Sequence, residues 1–537
     1  MNQVNLINNF IDELGKKLGL ETNKKKITPI NSIKITRDLL SDNSIIINTF
    51  KKYYPILEND RNFKHLYEIV INKKYAEQII ISSNHYDNLL LSIYFILGNP
   101  YLFHSEIFEI LYQNRYDIEH VLDIVKKSWS YILKSNLRNF FNSTLIEKWL
   151  QTSQFKKLQR EDIFKNKENT EEIYNKYNEI YNIFDNTNKK IVQFILELRN
   201  LITTVQTPGS YNLRKDYYVT FQKTYSGLTL SNKNLITLMV FAHKELLRLV
   251  DEMRTIVTRI HPETNEMDIK EIIIFLQDFK DYKYETKDDY IKHHIDIMKS
   301  LENFFITNKK IIQFIKPKIT AIDDENLGGA YWAYDTFYLN VANWNNINNY
   351  QALSLALHEG IPGHHTQVSY QVHSESNGYD ILYEWFGTTS GFHEGWALFT
   401  EKLAPSYTDI EKIGQLQYEM LRTIRIIVDI SIHEAGISSE EIKKYMMKYL
   451  AIPSESIDSE IFRYIVLPGQ ALGYKIGEVI FKYIHKKLIG TEDYLCDKSI
   501  ELYKKIIYDK AMPLDILMEN YNITFDEIFN LDRFKIL

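Results

Sequence analysis

Glycine and proline, the residues that most often break helices, are scarce in this chain: its 537 residues include 19 glycines and 11 prolines. Few such breaks favour long helices joined by short connections. Segment 235–257 shows the helical pattern, because apolar residues recur there at steps of three and four positions. They are Leu235, Met239, Ala242, Leu246, Leu249, Met253 and Ile256. Segments 90–97, 131–150 and 191–203 also predict helices, so we expect a large, mainly α-helical body.

Segment 330–344 (AYWAYDTFYLNVANW) interrupts this helical pattern. It is rich in aromatic and β-branched residues, and Phe337, Leu339 and Val341 recur at every second position. A period of two predicts a strand or hairpin. We therefore expect a small β-sheet directly before the histidine-rich segment that begins at residue 358.

Composition excludes several classes of function. With 45% hydrophobic and 25% charged residues, the chain is globular, and its net charge of −6 gives no reason to expect a nucleic-acid partner. The single cysteine, Cys496, excludes an intrachain disulfide and fits a reducing compartment. Residues 1–20 lack the apolar core of a signal peptide, and no run of about 18 apolar residues occurs. We therefore expect a cytosolic protein without a membrane span.

Two motifs carry the chemistry. Residues 358–365 read His-Glu-Gly-Ile-Pro-Gly-His-His, and residues 392–396 read Phe-His-Glu-Gly-Trp. A single-metal hydrolase needs three protein ligands, an open position for water and a carboxylate that accepts the proton of that water. We predict one Zn²⁺ per chain, with Glu359 as the base. The candidate ligands are His358, either His364 or His365, and Glu394.

The spacing of the histidines departs from the common His-Glu-x-x-His motif, in which both histidines lie on one helix face. On an ideal helix His365 returns to the face of His358 about 10 Å along the axis, whereas His364 points elsewhere. Pro362 and Gly363 predict that the helix is bulged or broken between them. Once the helix is distorted, geometry leaves both histidines open as the second ligand. Asn348 or Asn349 is the predicted cap at the start of this helix.

This local sequence resembles the angiotensin-converting-enzyme family of helical zinc peptidases, whose metal helix carries His-Glu-x-Gly-His. The agreement continues at 391–394, similar to a Gly-Phe-His-Glu segment, and at 462–464, similar to Ile-Arg-Tyr. In such peptidases an edge strand before the metal helix pairs with the substrate, and an ordinary core hairpin is the alternative here. The roles that the resemblance implies are zinc ligand for His358, His364 and Glu394, base for Glu359, and oxyanion donor for Tyr464.

Residues 325–480 are also similar to the bacterial proteins that contain domain of unknown function 885. The shared motifs are His-Glu-x-x-Pro-Gly-His-His, Glu-Gly-Trp-Ala at 394–397, Arg…Val-Asp…His at 425–433, and Pro-Gly-Gln-Ala…Tyr…Gly at 468–477. These motifs add further candidates. They are Tyr474 as a competing oxyanion donor, His433 as a donor to the substrate carbonyl, and Arg425 and Arg463 as ligands of a substrate carboxylate; a structural role is the alternative for His433 and both arginines.

One departure from the converting-enzyme pattern concerns the orientation of a ligating histidine. That pattern places an aspartate four residues after the glutamate ligand, where this chain has Leu398. A ligating histidine needs an acceptor for its second nitrogen. We predict that Glu401, Asp429 or a backbone carbonyl takes this place.

Taken together, these patterns predict a zinc peptidase that cleaves short peptides. Residues 1–200 are expected to form a helical lid or channel wall, and residues 201–537 the catalytic region. Two alternatives are an amide hydrolase that uses the same site on another substrate and a non-catalytic helical binding protein. The intact Glu359 argues against the second alternative, because a binding protein needs no base. His293 and His294 lie in a charged helical segment and are expected to be exposed.

Overall fold

A computed structural model describes residues 3–20, 43–72 and 215–530, with gaps at 312–314, 324–329, 334–335, 343, 451 and 453, and a few single positions between 34 and 175. The predicted helices at 90–97, 131–150 and 191–203 lie outside the described residues. The described residues fall into two units: those up to 209 with 465–467, and those in 210–464 and 468–537. Within them, no helix is long and apolar enough to cross a membrane.

The structure describes three helices of the first unit from end to end: α1 (Gln3–Leu18), α2 (Ile45–Leu57) and α3 (Arg61–Val70). Their apolar faces meet at three phenylalanines that are buried completely: Phe10, Phe50 and Phe63. The ring of Phe10 lies 4.7 Å from that of Phe50 and 5.3 Å from that of Phe63. Aromatic edge-to-face contacts of this kind stabilise a small helical core. The expected role of residues 1–200 as a lid or channel wall stays a prediction.

The second unit is mainly helical, as predicted. Its first helices are α4 (Lys215–Tyr225), α5 (Asn232–Ile260), α6 (Ile269–Asp278) and α7 (Lys287–Glu302). After a small sheet follow α8 (Ala352–Glu359), α9 (His364–His373), α10 (Tyr379–Phe386), α11 (Ser390–Thr400) and α12 (Asp409–His433). The last are α13 (Ser439–Tyr449), α14 (Ser454–Val466), α15 (Leu472–Ile489), α16 (Asp497–Tyr508), α17 (Leu514–Asn520) and α18 (Phe525–Ile528).

The predicted β-structure is confirmed as part of a three-stranded sheet. Its strands are β1 (Lys318–Ile322), β2 (Ala330–Ala333) and β3 (Thr336–Asn340), in the order β1-β3-β2. β2 and β3 form an antiparallel hairpin, and β1 runs parallel to β3. The strand nearest in sequence to α8 is therefore the central one, and the edge strands of the sheet are β1 and β2.

The central helix of the second unit is α12, which is buried on nearly every side from Ile413 to His433. α5 packs along it, and α11 packs along α15. The α11–α15 contact is unusually close because glycines face one another. A Cβ added at Gly395 would lie 2.5 Å from the Cα of Gly477, and one at Gly473 would lie 2.7 Å from the Cα of Gly391. These glycines let the two backbones touch.

A buried network of charges ties these helices together. The Lys475 ammonium, which is fully buried, lies 2.9 Å from a carboxylate oxygen of Glu245, 2.5 Å from one of Glu419 and 3.0 Å from one of Glu478. Lys402 reaches the other oxygen of Glu419 at 2.5 Å. Because buried charges must be paired, this network fixes α5, α12 and α15 relative to the end of α11.

The expected exposure of the histidine pair on α7 is wrong for His294. Its side chain is completely buried, and its Nδ1 donates to the Tyr290 carbonyl oxygen at 2.9 Å. The charged residues of α7 occupy its outer face, whereas His294 stacks towards Phe337 of β3. Its neighbour His293 is half-buried. Because many residues of this segment are charged, the sequence did not indicate that one face of α7 packs on the sheet.

Candidate metal centre

Three of the predicted ligands converge on one point. The Nε2 atom of His358 lies 3.6 Å from Oε2 of Glu394, and Nε2 of His364 lies 3.4 Å from the same oxygen. All three ligand atoms lie within 4.8 Å of one another. Within the part of the chain that the structure describes, this is the one group of histidine, cysteine or acidic side chains with such a geometry.

The distances between these atoms suit a small divalent cation. Zinc bonds of about 2.0 to 2.2 Å in a tetrahedral arrangement place neighbouring ligand atoms about 3.3 to 3.6 Å apart. The measured separations from the Glu394 oxygen, 3.4 and 3.6 Å, match this spacing and exceed the length of a good hydrogen bond. Two imidazoles and one carboxylate also form a donor set typical of catalytic zinc. The residues present therefore fit the predicted metal.

The chain breaks between the two histidines, as predicted from Pro362 and Gly363. α8 ends at Glu359 and α9 begins at His364, and the turn between them contains a cis Ile361–Pro362 peptide. Only glycine fits at position 363, because an added Cβ would lie 2.0 Å from the His358 carbonyl oxygen.

Trp396 of α11 holds this turn from the other side. Its Nε1 donates to the Pro362 carbonyl oxygen at 3.0 Å, and its ring is fully buried. The tryptophan of the Glu-Gly-Trp motif thus links Glu394 mechanically to the turn that positions His364. The Glu-Gly-Trp motif indicated that Trp396 matters, but the sequence did not indicate that Pro362 is the residue it binds.

His365 turns away from the cluster. It is buried, and its Nε2 donates to the Ile315 carbonyl oxygen at 2.9 Å. Of the two alternatives that the spacing left open, the structure brings His364 to His358 and Glu394. The predicted helix cap is wrong: a short 3-10 turn at Asn349–Gln351 precedes α8, and Asn348 Nδ2 donates to the Leu276 carbonyl oxygen instead.

Glu401 accepts a hydrogen bond from the second nitrogen of His358. The Nδ1 of His358 lies 2.8 Å from Oε1 of Glu401, and Ser354 Oγ donates to the other oxygen of that carboxylate at 2.8 Å. Because the Nδ1 hydrogen is held by Glu401, the nitrogen that can lose its proton to a metal ion is Nε2, which faces the cluster. Glu401 is thus the residue that takes the place left by Leu398, one of the three acceptors predicted.

Charges around the cluster favour a cation at its centre. Burial disfavours a charged His358, but the nearby Glu394 carboxylate and the hydrogen bond that His358 donates to Glu401 outweigh burial and raise the pKa of His358 to about 9. Burial likewise disfavours an ionised Glu394, yet His358 and His364 hold its pKa well below the usual value. The carboxylates therefore attract positive charge to the point where the three ligand atoms meet.

Glu359, the predicted base, ends α8 and is half-buried. It follows His358 directly in the chain, and its negative charge acts on His358 and on Tyr418 of α12. Burial, first of all, together with the charges of Glu401 and Glu359, raises the pKa of Tyr418 to about 12. Sequence reasoning missed Tyr418, which belongs to no motif.

The two candidate oxyanion donors differ in their partners. The Tyr464 hydroxyl is buried, donates to Glu460 at 2.5 Å and lies 3.3 Å from Arg425 Nε. The Tyr474 hydroxyl accepts from Arg463 Nη2 at 2.5 Å. A hydroxyl has one hydrogen to donate. Tyr464 donates its hydrogen to Glu460, whereas Tyr474 accepts from Arg463.

Both candidate arginines lie beside Tyr474. Arg425 is buried and binds Glu460 through Nε at 3.1 Å and Nη2 at 3.0 Å, and its guanidinium lies 4.5 Å from the centre of the Tyr474 ring. Arg463 donates to Gln470 Oε1 at 3.0 Å as well as to Tyr474. Both arginines belong to sequence motifs, whereas Glu460, the carboxylate that they share, belongs to none.

His433 and Asp429 lie deep in the core on the last turns of α12. His433 Nε2 donates to the Tyr464 carbonyl oxygen at 2.9 Å, and burial lowers the pKa of His433 to about 4. In this arrangement the Nε2 hydrogen of His433 is bound to a backbone carbonyl oxygen. Asp429 accepts from the Tyr218 hydroxyl at 2.5 Å and from the Gly469 amide at 3.0 Å, and burial raises its pKa to about 7. Asp429 thus anchors the Pro-Gly-Gln turn that precedes Tyr474.

Comparisons with known proteins identify a family and a fold. The model of the family described as "Bacterial protein of unknown function (DUF885)" matches residues 144–489, well over half of the chain. A search of curated proteins found no match. Two solved structures are similar: a "putative lipoprotein" from Colwellia psychrerythraea, with 16% identity, a TM-score of 0.66 and 98% of each chain covered, and a "putative lipoprotein of unknown function" from Shewanella oneidensis, with 16% identity, a TM-score of 0.67 and coverage of 96% of this chain and 98% of that one. At this identity they show the fold alone.

Proposed function

This chain belongs to the DUF885 family of bacterial proteins of unknown function, and we propose that it is a zinc-dependent peptidase that hydrolyses short peptides. The observation that carries the proposal is the convergence of His358, His364 and Glu394, with Glu359 next to the first of them. A site that only bound a metal for stability would close its fourth position with another protein ligand. Three ligands beside a carboxylate that is not itself one of the ligands are typical of a hydrolytic site.

The burial of the site supports short peptides as substrates. The side chains of His358, His364 and Glu394 are 4%, 15% and 21% exposed, so solvent reaches the cluster through a restricted opening. An extended peptide can enter such an opening, whereas a folded protein cannot present its backbone there. Zn²⁺ held by these three residues would supply the Lewis acidity that activates water and polarises the peptide carbonyl.

Within this site Glu359 acts as the general base. Its carboxylate accepts a proton from the attacking water and passes it to the nitrogen of the leaving amine. Glu401 keeps the Nδ1 hydrogen of His358 fixed and so holds Nε2 in the orientation that a ligand needs.

Tyr474 is the oxyanion donor that the hydrogen bonds favour. Arg463 donates to its oxygen, so the Tyr474 hydrogen can point to the carbonyl oxygen of the substrate as negative charge develops there. The hydrogen of Tyr464 is bound to Glu460 instead. We therefore assign to Tyr474 the role that the resemblance to converting enzymes implies for Tyr464.

Metal content per chain, measured by mass spectrometry after zinc is supplied and excess is removed, tests this proposal. We expect about one zinc per chain in the native protein and none in a His358→Ala, Glu394→Ala variant. The matched control is a His243→Ala, Glu266→Ala variant, which removes the same residue types from exposed positions. Glu359→Gln should keep the metal and lose peptide hydrolysis. A native protein that binds no zinc, or a Glu359→Gln variant that cleaves peptides at the native rate, would contradict the proposal.

A further inference from the structure

We propose that Arg463 and Arg425 form a subsite for a carboxylate group of the peptide substrate, next to the metal centre. The inference rests on the proposed function, because it names the class of peptide that the same site accepts. Its substrates carry a free carboxylate close to the bond that is cleaved.

The charge balance of the arginine pair is the first argument. Arg425 Nη2 lies 3.0 Å from Glu460, and Arg463 Nη1 lies 3.9 Å from the same carboxylate. Among the described residues, these are the ion pairs that the two arginines form. Of the described carboxylates, Glu460 is therefore the one in direct ion-pair contact with these guanidinium groups, and it faces both of them. A partly buried positive charge left over in this way costs folding free energy, and an anionic ligand offsets that cost.

The hydrogen-bond donors of the pair are the second argument. Arg425 is 5% exposed, and its Nη1 has no hydrogen-bond partner among the described residues, although Nε and Nη2 are bound to Glu460. The side chain of Arg463 is 30% exposed, and both of its hydrogen bonds use Nη2. Buried donors of this kind are nearly always paired in native proteins. Planar guanidinium groups with free edges suit a carboxylate, which accepts two parallel bonds.

The position of the pair is the third argument. After burial, which is the largest influence, the negative charge of Glu394 also acts on the pKa of Arg463 and of Tyr474 and raises both. Both residues therefore lie near a predicted metal ligand. The glycine contacts between α11 and α15 bring the helix of Glu394 against the helix of Tyr474. A carboxylate bound by Arg463 would lie beside the hydroxyl that we assign to the oxyanion. This geometry suits a peptide whose terminal carboxylate is near the scissile carbonyl; an acidic side chain would offer the same group.

Two randomised tetrapeptide libraries, identical except for a C-terminal carboxylate or a C-terminal carboxamide, test the subsite. Binding is measured by affinity selection and mass spectrometry on the zinc-loaded Glu359→Gln protein, and cleavage by mass spectrometry on the native enzyme. We expect free-acid peptides to be retained and cleaved in preference to their amides. Retention of only those amides that contain aspartate or glutamate would place the carboxylate on a side chain, which also supports the subsite.

Arg463→Gln tests the role of the arginine itself, with Arg259→Gln, which breaks an exposed ion pair to Asp409, as the matched control. Losing one charged donor pair should weaken the binding of free-acid peptides on the order of 10- to 100-fold and remove the preference over amides. If Arg463 only positioned Tyr474, cleavage of both libraries would fall equally and binding would not change. Arg463→Lys keeps the charge and should retain part of the preference, which guards against a folding defect in the glutamine variant.

The outcomes separate the subsite from the peptidase. Equal retention and cleavage of acids and amides would overturn the subsite and leave the peptidase standing. Retention of free-acid peptides without cleavage by the native enzyme would overturn the peptidase and support the subsite. Retention of neither library would overturn the subsite.

Discussion

Glu401 accepts the Nδ1 hydrogen of His358 at 2.8 Å, although it lies seven positions after Glu394 and not four. Its carboxylate is buried completely, and its second oxygen is bound by Ser354, one helical turn before His358 on α8. A single carboxylate at the end of α11 therefore fixes both the ring orientation and the tautomer of His358. This contact replaces the aspartate that the converting-enzyme pattern would place at Leu398.

Glu401→Gln should weaken zinc binding. The glutamine keeps the size of the side chain but removes the negative charge that favours a hydrogen on Nδ1, and losses of such partners reduce metal affinity about 10- to 100-fold. Competition between the protein and a chelator measures the zinc dissociation constant. Glu440→Gln, at an exposed position on α13, is the control. An unchanged dissociation constant in Glu401→Gln would show that the negative charge of Glu401 does not contribute to zinc affinity.

The two adjacent histidines should respond differently to removal. His364→Ala should abolish zinc binding with little effect on folding, because His364 lies at the cluster. His365→Ala should keep zinc and lower the free energy of unfolding by about 1 kcal/mol or more, since it removes a buried hydrogen bond to Ile315. Metal content and thermal melting of both variants check this. Zinc retained in His364→Ala and lost in His365→Ala would reverse the assignment.

Local patterns predicted the elements that a single stretch of sequence defines. The three- and four-residue spacing along 235–257 corresponds to α5, and the alternation along 330–344 corresponds to β2 and β3. The break at Pro362 and Gly363 followed from their backbone chemistry. Each of these predictions needed only neighbours along the chain.

Contacts between distant segments could not be predicted in this way. Sequence spacing left His364 and His365 open, because the choice depends on how Trp396 holds the turn between α8 and α9. Glu460 belongs to no sequence motif, yet it accepts the hydroxyl hydrogen of Tyr464, whereas the Tyr474 hydroxyl accepts from Arg463. The helical face of His294 was misjudged for the same reason: the sheet that covers it lies some forty residues further along the chain.

Tyr474→Phe and Tyr464→Phe should separate catalysis from stability. Removing the proposed oxyanion donor at Tyr474 should lower kcat about 100- to 1000-fold with little change in zinc content. Removing the Tyr464 hydroxyl takes away the buried hydrogen bond that it donates to Glu460, which keeps those from Arg425, and should lower the free energy of unfolding by about 1 to 3 kcal/mol. Steady-state kinetics and thermal melting distinguish the two effects. A larger loss of kcat in Tyr464→Phe would return the oxyanion role to that residue.

Lys475→Met should destabilise the second unit strongly. The variant leaves Glu245, Glu419 and Glu478 without the cation that lies between 2.5 and 3.0 Å from each of them. Breaking a buried ion pair from one side costs about 3 to 5 kcal/mol. Chemical denaturation measures the loss, and Lys505→Met, at an exposed helical ion pair with Asp509, should cost less than about 1 kcal/mol. Similar losses in both variants would show that the network contributes no more than a surface pair.

Asp429→Asn should reduce the loss of folding stability that occurs as pH rises. Burial raises the pKa of Asp429 to about 7 in the folded state, above its ordinary value of 3.8. The folded protein therefore holds a proton that the unfolded chain releases between about pH 4 and pH 7, and the stability from this residue is lost as pH rises through that window. Asparagine stays neutral and can still accept from Gly469 and Tyr218. The melting temperatures of the variant and the native protein are measured from pH 5 to pH 8. The difference between them, variant minus native, should increase as pH rises. A difference that does not change with pH would mean that Asp429 is ionised throughout this range.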